Sequence, residues 1–272
     1  MMIPVPLVEA FEQAWLGGKA VQLGAALRGG LPVPPGFALS VDLVDAIASG
    51  DESTYQLVLP LLPELGGVVA VRSSAVGEDS ASASFAGQHL TCLNVRSDSQ
   101  LLIAIRKVWA SGRSESALAY RQHLGISEPP QVAVVVQQLV HPDCAGVMFT
   151  RNPVTNADEI VIEAAWGLGE AIVAGLITPD RYRLNRNGQV LEQTPGFKDL
   201  AIQPSAEGGT IEVEVDPAQI EQLCLDQVNL QKLVTLATQC EQYFQKSWDI
   251  EWAFKDETLY LLQCRPITRS FA

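Results

Sequence analysis

The sequence predicts an α+β protein built from two lobes that hinge near residue 139. Strand patterns and helix patterns are interspersed along the chain, and several neighbouring strand patterns form adjacent hairpins. The 272 residues are 47% hydrophobic, which is enough for one large domain or two modest ones with real cores. We therefore expect an N-terminal domain over residues 1–139 and a C-terminal domain over residues 140–272.

Helix patterns with recognisable ends occur in both predicted domains. Lys19 lies in the first turn of a helix that is bounded by glycines. Ser40 or Asp42 can cap the next helix, which ends near Gly50. Residues 53–63 show no clear pattern. The expected helices cover residues 17–30, 40–50, 98–110, 114–124 and 226–245.

Strands are predicted where short apolar, β-branched runs are bounded by turn residues. The segment between the first two strands, residues 73–88, is rich in serine, alanine and glycine and is predicted to be a long loop. Residues 166–170 form a tight glycine turn that is either a nucleotide lid or the start of a helix. The expected strands cover residues 68–72, 89–95, 132–136, 145–150, 159–165, 181–185 and 210–215.

The end of the chain predicts a β-hairpin, because two aromatic-rich apolar runs flank a short polar turn. Since side chains alternate along a strand, Asp249 and Glu251 share one face, and Gln263 and Arg265 share a face of the second strand. With residues 256–258 as the loop, Glu251 lies opposite Gln263 and Asp249 lies opposite Arg265. Such a cluster can hold a magnesium ion and the phosphates bound to it. The alternative is a surface hairpin with ordinary cross-strand polar pairs.

A second candidate site begins at Arg72, at the mouth of an apolar strand that leads into the predicted loop. Small side chains let backbone N–H groups approach an anion closely, and the serine hydroxyls add donors. Arg72 supplies a planar charge that suits phosphate. A flexible surface loop is the alternative, but it does not explain why Arg72 anchors one end and Phe85 lies near the other.

Other short motifs are weaker taken singly. Lys19 follows two glycines at a helix start, where it could contact phosphate or could be a solvated lysine. Gln137 and Gln138 stand at the end of a buried strand. Their amides and the free backbone groups there could bind an adenine edge, or the strand could simply end in a loop at this point. The sequence has neither a P-loop nor a dinucleotide-binding glycine motif, and its three histidines lack metal-ligand spacing.

Composition excludes several classes of function. The 18 basic and 31 acidic side chains give a formal net charge of −13, which argues against nucleic acid and anionic membrane surfaces as partners. Five scattered cysteines indicate a reduced, cytoplasmic protein. We find neither a signal peptide nor an apolar run of the ~20 residues that a membrane span needs.

In their order along the chain, these segments resemble the N-terminal ATP-binding domain of the phosphoenolpyruvate synthase and pyruvate phosphate dikinase family. Rifampin phosphotransferase carries a similar domain. The matching segments include Gly-Gly-Lys at 17–19, Val-Arg-Ser-Ser at 71–74, Gly-Val-Met-Phe at 146–149, Trp-Gly-Leu-Gly-Glu at 166–170, Asp-Ile-Glu-Trp at 249–252 and Gln-Cys-Arg-Pro at 263–266. They extend over nearly the whole chain.

The resemblance implies a two-lobed ATP-grasp fold with the ATP cleft between the lobes. It assigns Glu251 and Gln263 to Mg²⁺, and it gives Arg72 and Arg265 catalytic contacts with the phosphates. The implied ATP-binding residues are Lys19, Arg72, Ser73, Ser84, Gly87, Gln137, Gln138, Leu139, Val140, Glu251, Gln263 and Arg265. The four consecutive residues from Gln137 to Val140 would carry the adenine hinge.

The sequence departs from the family pattern in two ways. The link between Phe37 and Val71 is short, where the family usually has a larger helical insert. The swivelling domain with its phospho-acceptor histidine in a Thr-Ser-His setting is not found. We therefore expect an Mg-ATP-dependent phosphotransferase component that passes phosphate to a histidine on a separate protein. The alternatives are a stand-alone ATP-grasp kinase or ligase that acts on a small molecule, and a non-catalytic ATP-binding module.

Overall fold

A computed structural model of the chain describes residues 2–76, 79–80, 83–84, 90–123 and 128–267. It contains α-helices and antiparallel sheets, so the predicted α+β class is confirmed. The chain forms two compact units. Unit 1 comprises Met1–Arg28, Pro34–Leu139 and Ser205–Gly209, and unit 2 comprises Gly29–Val33, Val140–Pro204 and Thr210–Ala272.

Unit 1 is built on a five-stranded antiparallel sheet in the order β1-β2-β7-β3-β6. One face of this sheet and helices α2 and α5 enclose a core of buried aliphatic side chains. The elements are β1 (Val5–Pro6), α1 (Gln13–Arg28), β2 (Gly36–Leu39), α2 (Val41–Ser49), α3 (Tyr55–Val58), α4 (Leu61–Glu64), β3 (Val69–Ala75), β4 (Asp79–Ser80), β5 (Ala83–Ser84), β6 (Thr91–Val95), α5 (Asp98–Ser111), α6 (Glu115–His123) and β7 (Val132–Gln138).

Local sequence signals explain the ends of α2. The hydroxyl oxygen of Ser40 accepts a hydrogen bond from the N–H of Leu43 at 3.4 Å, and Gly50 ends the helix with φ 90°. The predicted start of the loop after β3 is wrong, because Ser73 and Ser74 lie within that strand and are fully buried. Packing and pairing with β7 thus override the turn preference of two serines.

Unit 2 is built on a six-stranded antiparallel sheet in the order β11-β10-β9-β8-β14-β15, with a separate two-stranded sheet β12-β13. Helix α8 packs against β14. The elements are β8 (Cys144–Phe149), β9 (Ile160–Trp166), α7 (Glu170–Val173), β10 (Asp180–Leu184), β11 (Val190–Thr194), β12 (Leu200–Pro204), β13 (Thr210–Glu214), α8 (Gln227–Phe244), β14 (Trp248–Lys255) and β15 (Thr258–Pro266).

The closing hairpin has the predicted site pairing but a different turn. The loop contains two residues rather than three, since Lys255 pairs with Thr258. A β-bulge at Leu262 then shifts the register by one residue, so that Glu251 still pairs with Gln263. The predicted pairing of Asp249 with Arg265 is confirmed as well. The bulge therefore compensates for the shorter turn.

Candidate functional site

One face of the unit 1 sheet carries buried positive charge beneath helix α1. The hydroxyl of Ser74 donates to the carbonyl of Leu16 at 2.7 Å, so this face of β3 is the one that α1 covers. Arg72 is two residues earlier and lies on the same face. Arg72 is 8% exposed, and Lys19 of α1 is 6% exposed. None of α1, β3 and β7 contains an acidic residue, so these three elements contribute only positive side-chain charge to this face.

A break in α1 places Lys19 at the start of a new helical segment. Gly17 has φ 75°, and a Cβ at this position would lie 1.7 Å from the carbonyl oxygen of Ser74. The hydroxyl of Ser74 also accepts from the N–H of Ala20 at 3.0 Å, which caps the segment. The predicted helix over residues 17–30 therefore begins earlier, at Gln13, and Gly17 interrupts it.

The remaining unit 1 candidates divide between the two faces of the sheet. Gln137 pairs with Ala70 and lies on the Arg72 face, where its amide donates to the carbonyl of Pro34 at 3.0 Å. Ser73 pairs with Val134 on the opposite face and is fully buried against the core. The side chains of Arg72 and Ser73 thus point to opposite faces, because neighbours alternate along a strand.

The predicted adenine hinge follows the end of β7. Gln138 is exposed, and its N–H donates to the carbonyl of Pro35 at 2.9 Å. The N–H of Leu139 donates to the carbonyl of Val68 at 3.0 Å. Val140, the next residue, begins the main part of unit 2 and is partly buried. Two further candidates, Gly87 and the side chain of Ser84, lie outside the described part of the chain.

In unit 2, one face of the six-stranded sheet is polar and the other is buried. The buried face carries Ile250, Trp252 and Phe254 of β14. The polar face carries Glu251 and Gln263, which are directly paired. Glu251 is partly buried and Gln263 is 9% exposed. The hairpin therefore brings the carboxylate of Glu251 and the amide of Gln263 to paired positions on the same face of the sheet, and both side chains have an oxygen that can ligate a cation.

An ion pair lies beside these two residues. Both the Nε and an Nη atom of Arg265 donate to one carboxylate oxygen of Asp249, at 2.8 and 2.7 Å. The side chain of Asp249 is 12% exposed. Burial raises the pKa of Asp249, Arg265 opposes this effect, and the nearby charge of Glu251 adds to it. The guanidinium is thus held in place by a carboxylate that is itself costly to ionise.

Sequence reasoning did not identify Glu163 as a site residue. It lies in β9, on the same polar face, and both Glu163 and Glu251 pair with Val147 of β8. The only sequence signal was an acidic residue in the middle of an otherwise apolar strand. Glu163 is partly buried and lies directly opposite Arg181 of β10.

The paired oxygen donors of β14 and β15 are compatible with Mg²⁺. This ion usually keeps several waters and is bound by one or two carboxylates together with substrate phosphates. Among the residues that the structure describes, no group of three or more acidic, histidine or cysteine side chains could form an all-protein metal cage. Glu251 and Gln263 therefore suit an ion that arrives with phosphates.

Unit 1 thus carries a buried basic face, and unit 2 separately carries a carboxylate–amide pair of the kind that binds a metal ion together with phosphate. Residues 62–272 match the model of the family described as "Pyruvate phosphate dikinase, AMP/ATP-binding domain", and the chain belongs to this family. The resemblance predicted from the motifs is confirmed. None of the helices within the described ranges is both long and apolar enough to span a bilayer.

Similar proteins include two curated relatives and one solved structure. A probable phosphoenolpyruvate synthase from Methanothermobacter thermautotrophicus is 34% identical over 93% of this chain and 44% of that protein. A rifampicin phosphotransferase from Bacillus cereus is 37% identical over 85% of this chain and 26% of that protein. A biotin carboxylase–β-γ-ATP complex from Campylobacter jejuni has a TM-score of 0.41 at 13% identity, over 93% of this chain and 40% of that chain. The chain thus spans less than half the length of these two relatives.

Proposed function

We propose that this chain binds Mg-ATP and acts as the nucleotide-binding component of a phosphotransferase. The direct pairing of Glu251 with Gln263, next to the Asp249–Arg265 ion pair, carries the proposal. Family membership supports ATP as the nucleotide. The names of the similar proteins, phosphoenolpyruvate synthase and rifampicin phosphotransferase, support phosphate transfer as the reaction.

Each candidate residue has a defined role in this proposal. Lys19 and Arg72 bind phosphate oxygens, and their burial strengthens such charge-assisted hydrogen bonds. Glu251 and Gln263 hold Mg²⁺, which would neutralise charge on the phosphates when it is bound. Arg265 orients a terminal phosphate from a position that Asp249 fixes. Catalysis by these groups would consist of positioning and charge stabilisation.

The finer proposal concerns the phosphate acceptor. We propose a histidine on a separate protein, in the Thr-Ser-His setting that the family resemblance implies. A direct kinase or ligase reaction on a small molecule is the competing function. The two differ in their products. Attack of a histidine on the β-phosphorus would break the bond to the α-phosphate, release AMP and leave the β- and γ-phosphates on the histidine, whereas a simple kinase step transfers only the γ-phosphate and releases ADP.

Binding is tested first, by calorimetric titration of ATP with and without Mg²⁺. Glu251→Gln should remove the Mg²⁺-dependent part of the affinity, because it replaces the only carboxylate of the proposed pair. Glu212→Gln is the matched control, since Glu212 is exposed on β13 and is not part of the proposed site. Unchanged Mg-ATP affinity in the Glu251 variant would refute the assigned metal site.

Product analysis then tests the acceptor. Purified chain is incubated with Mg-ATP, with and without a swivelling domain taken from a full-length relative, and AMP and ADP are separated by chromatography. AMP that forms only with the added domain, together with labelled histidine on it, supports the proposal. ADP that rises with one added metabolite favours the kinase or ligase function instead.

A further inference from the structure

The hairpin of β12 and β13 belongs to unit 2, but the turn at its tip belongs to unit 1. The strands cover Leu200–Pro204 and Thr210–Glu214, whereas the turn, Ser205–Gly209, is grouped with unit 1. Two successive glycines with left-handed φ, 105° at Gly208 and 69° at Gly209, give the turn its shape. The chain therefore leaves unit 2 for the length of this turn and then returns to it.

Asn94 of β6 holds this turn through its side chain. Its amide nitrogen Nδ2 donates to the carbonyls of Ser205 and Gly209, each at 2.7 Å. The N–H of Gly209 in turn donates to the carbonyl of Asn94 at 3.1 Å. Because Asn94 is fully buried, water cannot readily replace its amide if that donor is lost.

The backbone of β6 is shaped for this contact. Asn94 has a φ of 55°, in the left-handed region that asparagine tolerates better than most residues. The pairing of β6 with β3 shifts its register beside Asn94, between the pairs Val69–Val95 and Val71–Cys92. A β-bulge of this kind re-aims a side chain. The local irregularity of β6 therefore directs the amide of Asn94 at the turn.

Helix α5 supplies a second contact with the turn. The Nε2 atom of Gln100 donates to the carbonyl of Glu207 at 2.7 Å, and its Oε1 atom accepts from the N–H of Arg96 at 2.8 Å. A Cβ on Gly208 would lie 2.5 Å from the Nε2 atom of Gln100, so the turn packs closely on this side chain. Unit 1 thus binds both the ends and the middle of the turn.

In unit 2, the strands of the same hairpin hold the glycine turn of residues 166–170. The N–H of Leu168 donates to the carbonyl of Ile202 in β12 at 2.9 Å. Thr210, the first residue of β13, forms a hydrogen bond with the carboxylate of Glu170. A Cβ on Gly167 would lie 2.5 Å from the carbonyl oxygen of Ile202, so the glycine turn approaches β12 closely. The hairpin that Asn94 binds at its tip therefore supports the glycine turn along its strands.

We propose that the Ser205–Gly209 turn is a latch through which β6 fixes the glycine turn of residues 166–170. Asn94 is the positioning residue of this latch. A shift of β6 would pull on the Ser205–Gly209 turn, and β12 and β13 would carry the movement to Leu168. Since β6 pairs with β3 at Arg72, such a shift can begin in the strand that carries this arginine. The inference does not depend on nucleotide binding.

Amide hydrogen exchange of the ligand-free chain, resolved to single residues by NMR, tests the latch. Asn94→Asp keeps the side-chain shape and the tolerance of positive φ, but it replaces the Nδ2 donor with an oxygen that faces two carbonyls. Exchange should rise by about 10- to 100-fold at Gly209, and by at least about 5-fold at Leu168, whose N–H is bonded to Ile202. Asn156→Asp is the matched control, because Asn156 is exposed and has a φ of 59°, and both rates should stay within about 2-fold of the wild type.

The rates at separate amides distinguish a latch from a local contact. If exchange rises at Gly209 but not at Leu168, the turn is docked without being coupled, and the inference is overturned. Unchanged rates at both residues overturn it as well. An equal rise at Val134, in the core strand β7, would indicate general destabilisation, and Gln100→Ala then decides because it removes the bond to Glu207 outside the core. In that variant, faster exchange at Leu168 with an unchanged rate at Val134 supports the latch, and any other result overturns it.

Discussion

The two halves of the Asp249–Arg265 ion pair should contribute unequally to stability. Asp249 is 12% exposed and Arg265 is 36% exposed. Arg265→Ala leaves a buried carboxylate without its Nε and Nη donors. Loss of a buried partner costs about 3–5 kcal/mol, and solvent around Arg265 reduces this to about 1.5–3 kcal/mol. Asp249→Asn should cost less than about 1 kcal/mol, because an amide avoids the desolvation that raises the carboxyl pKa.

The free energy of unfolding is measured by urea denaturation followed by tryptophan fluorescence, since Trp248 and Trp252 flank the pair in β14. Lys255→Ala is the control on the same strand: its partner Asp143 is 55% exposed, so its loss should cost under about 1 kcal/mol. The reasoning is refuted if Arg265→Ala costs no more than this control, or if Asp249→Asn costs as much as Arg265→Ala.

The same pair gives a pH dependence, and two other positions give stability predictions. The pKa of Asp249 in the folded state lies above its ordinary value of 3.8, so the native state binds the proton more readily than the unfolded state does. The contribution of Asp249 to stability should therefore fall as the pH rises from 3.8 through the raised pKa. Across that pH range, the urea midpoint should shift less in Asp249→Asn than in the wild type. Gly17→Ala should destabilise unit 1 by more than about 3 kcal/mol in the same denaturation assay, because the new Cβ would meet the carbonyl of Ser74. Gly30→Ala is the control: it has the same φ of 75°, but nothing lies within 4 Å of the new Cβ, so it should cost only about 1 kcal/mol. Asp180→Asn should lower the free energy of unfolding by about 3–5 kcal/mol, since it leaves the fully buried ammonium of Lys198 without its carboxylate partner. Equal unfolding midpoints for this variant and the wild type would contradict this prediction.

The sequence predicted those elements whose signals are local. Ser40 and Gly50 delimit α2 because a cap and a left-handed glycine act within one turn. Strand β11 was missed because all but the first of its five residues are exposed, which removes the apolar alternation on which a strand prediction depends. The end of β3 was missed for the opposite reason, since Ser73 and Ser74 are polar but fully buried by tertiary packing.

The candidate site shows the same division between local and long-range information. Alternation along two adjacent strands was enough to pair Glu251 with Gln263, although the turn prediction on which the register rested was one residue too long. Glu163 could not be placed beside them, because its position depends on which strands become neighbours in the sheet. That order is set by packing over the whole unit and leaves no local sequence pattern.

The turn of the closing hairpin offers a way to separate backbone strain from register. Asp256 and Glu257 both have positive φ, 47° and 62°, in a two-residue turn where glycine is favoured at the second position. Glu257→Gly should therefore raise the free energy of unfolding by about 1 kcal/mol, since a left-handed conformation costs a non-glycine residue about 1–2 kcal/mol and the extra chain entropy of glycine offsets part of this.

The bulge at Leu262 sets the pairing of Glu251 with Gln263, so relief of the turn should leave Mg-ATP affinity unchanged. The hydrogen bond from Lys232 to the carbonyl of Glu257, at 2.7 Å, uses the main chain and is retained in either substitution. Glu257→Ala keeps the left-handed strain and is the matched control in the urea assay. An equal gain in the alanine variant would show that side-chain charge, and not backbone strain, limits the stability of this turn.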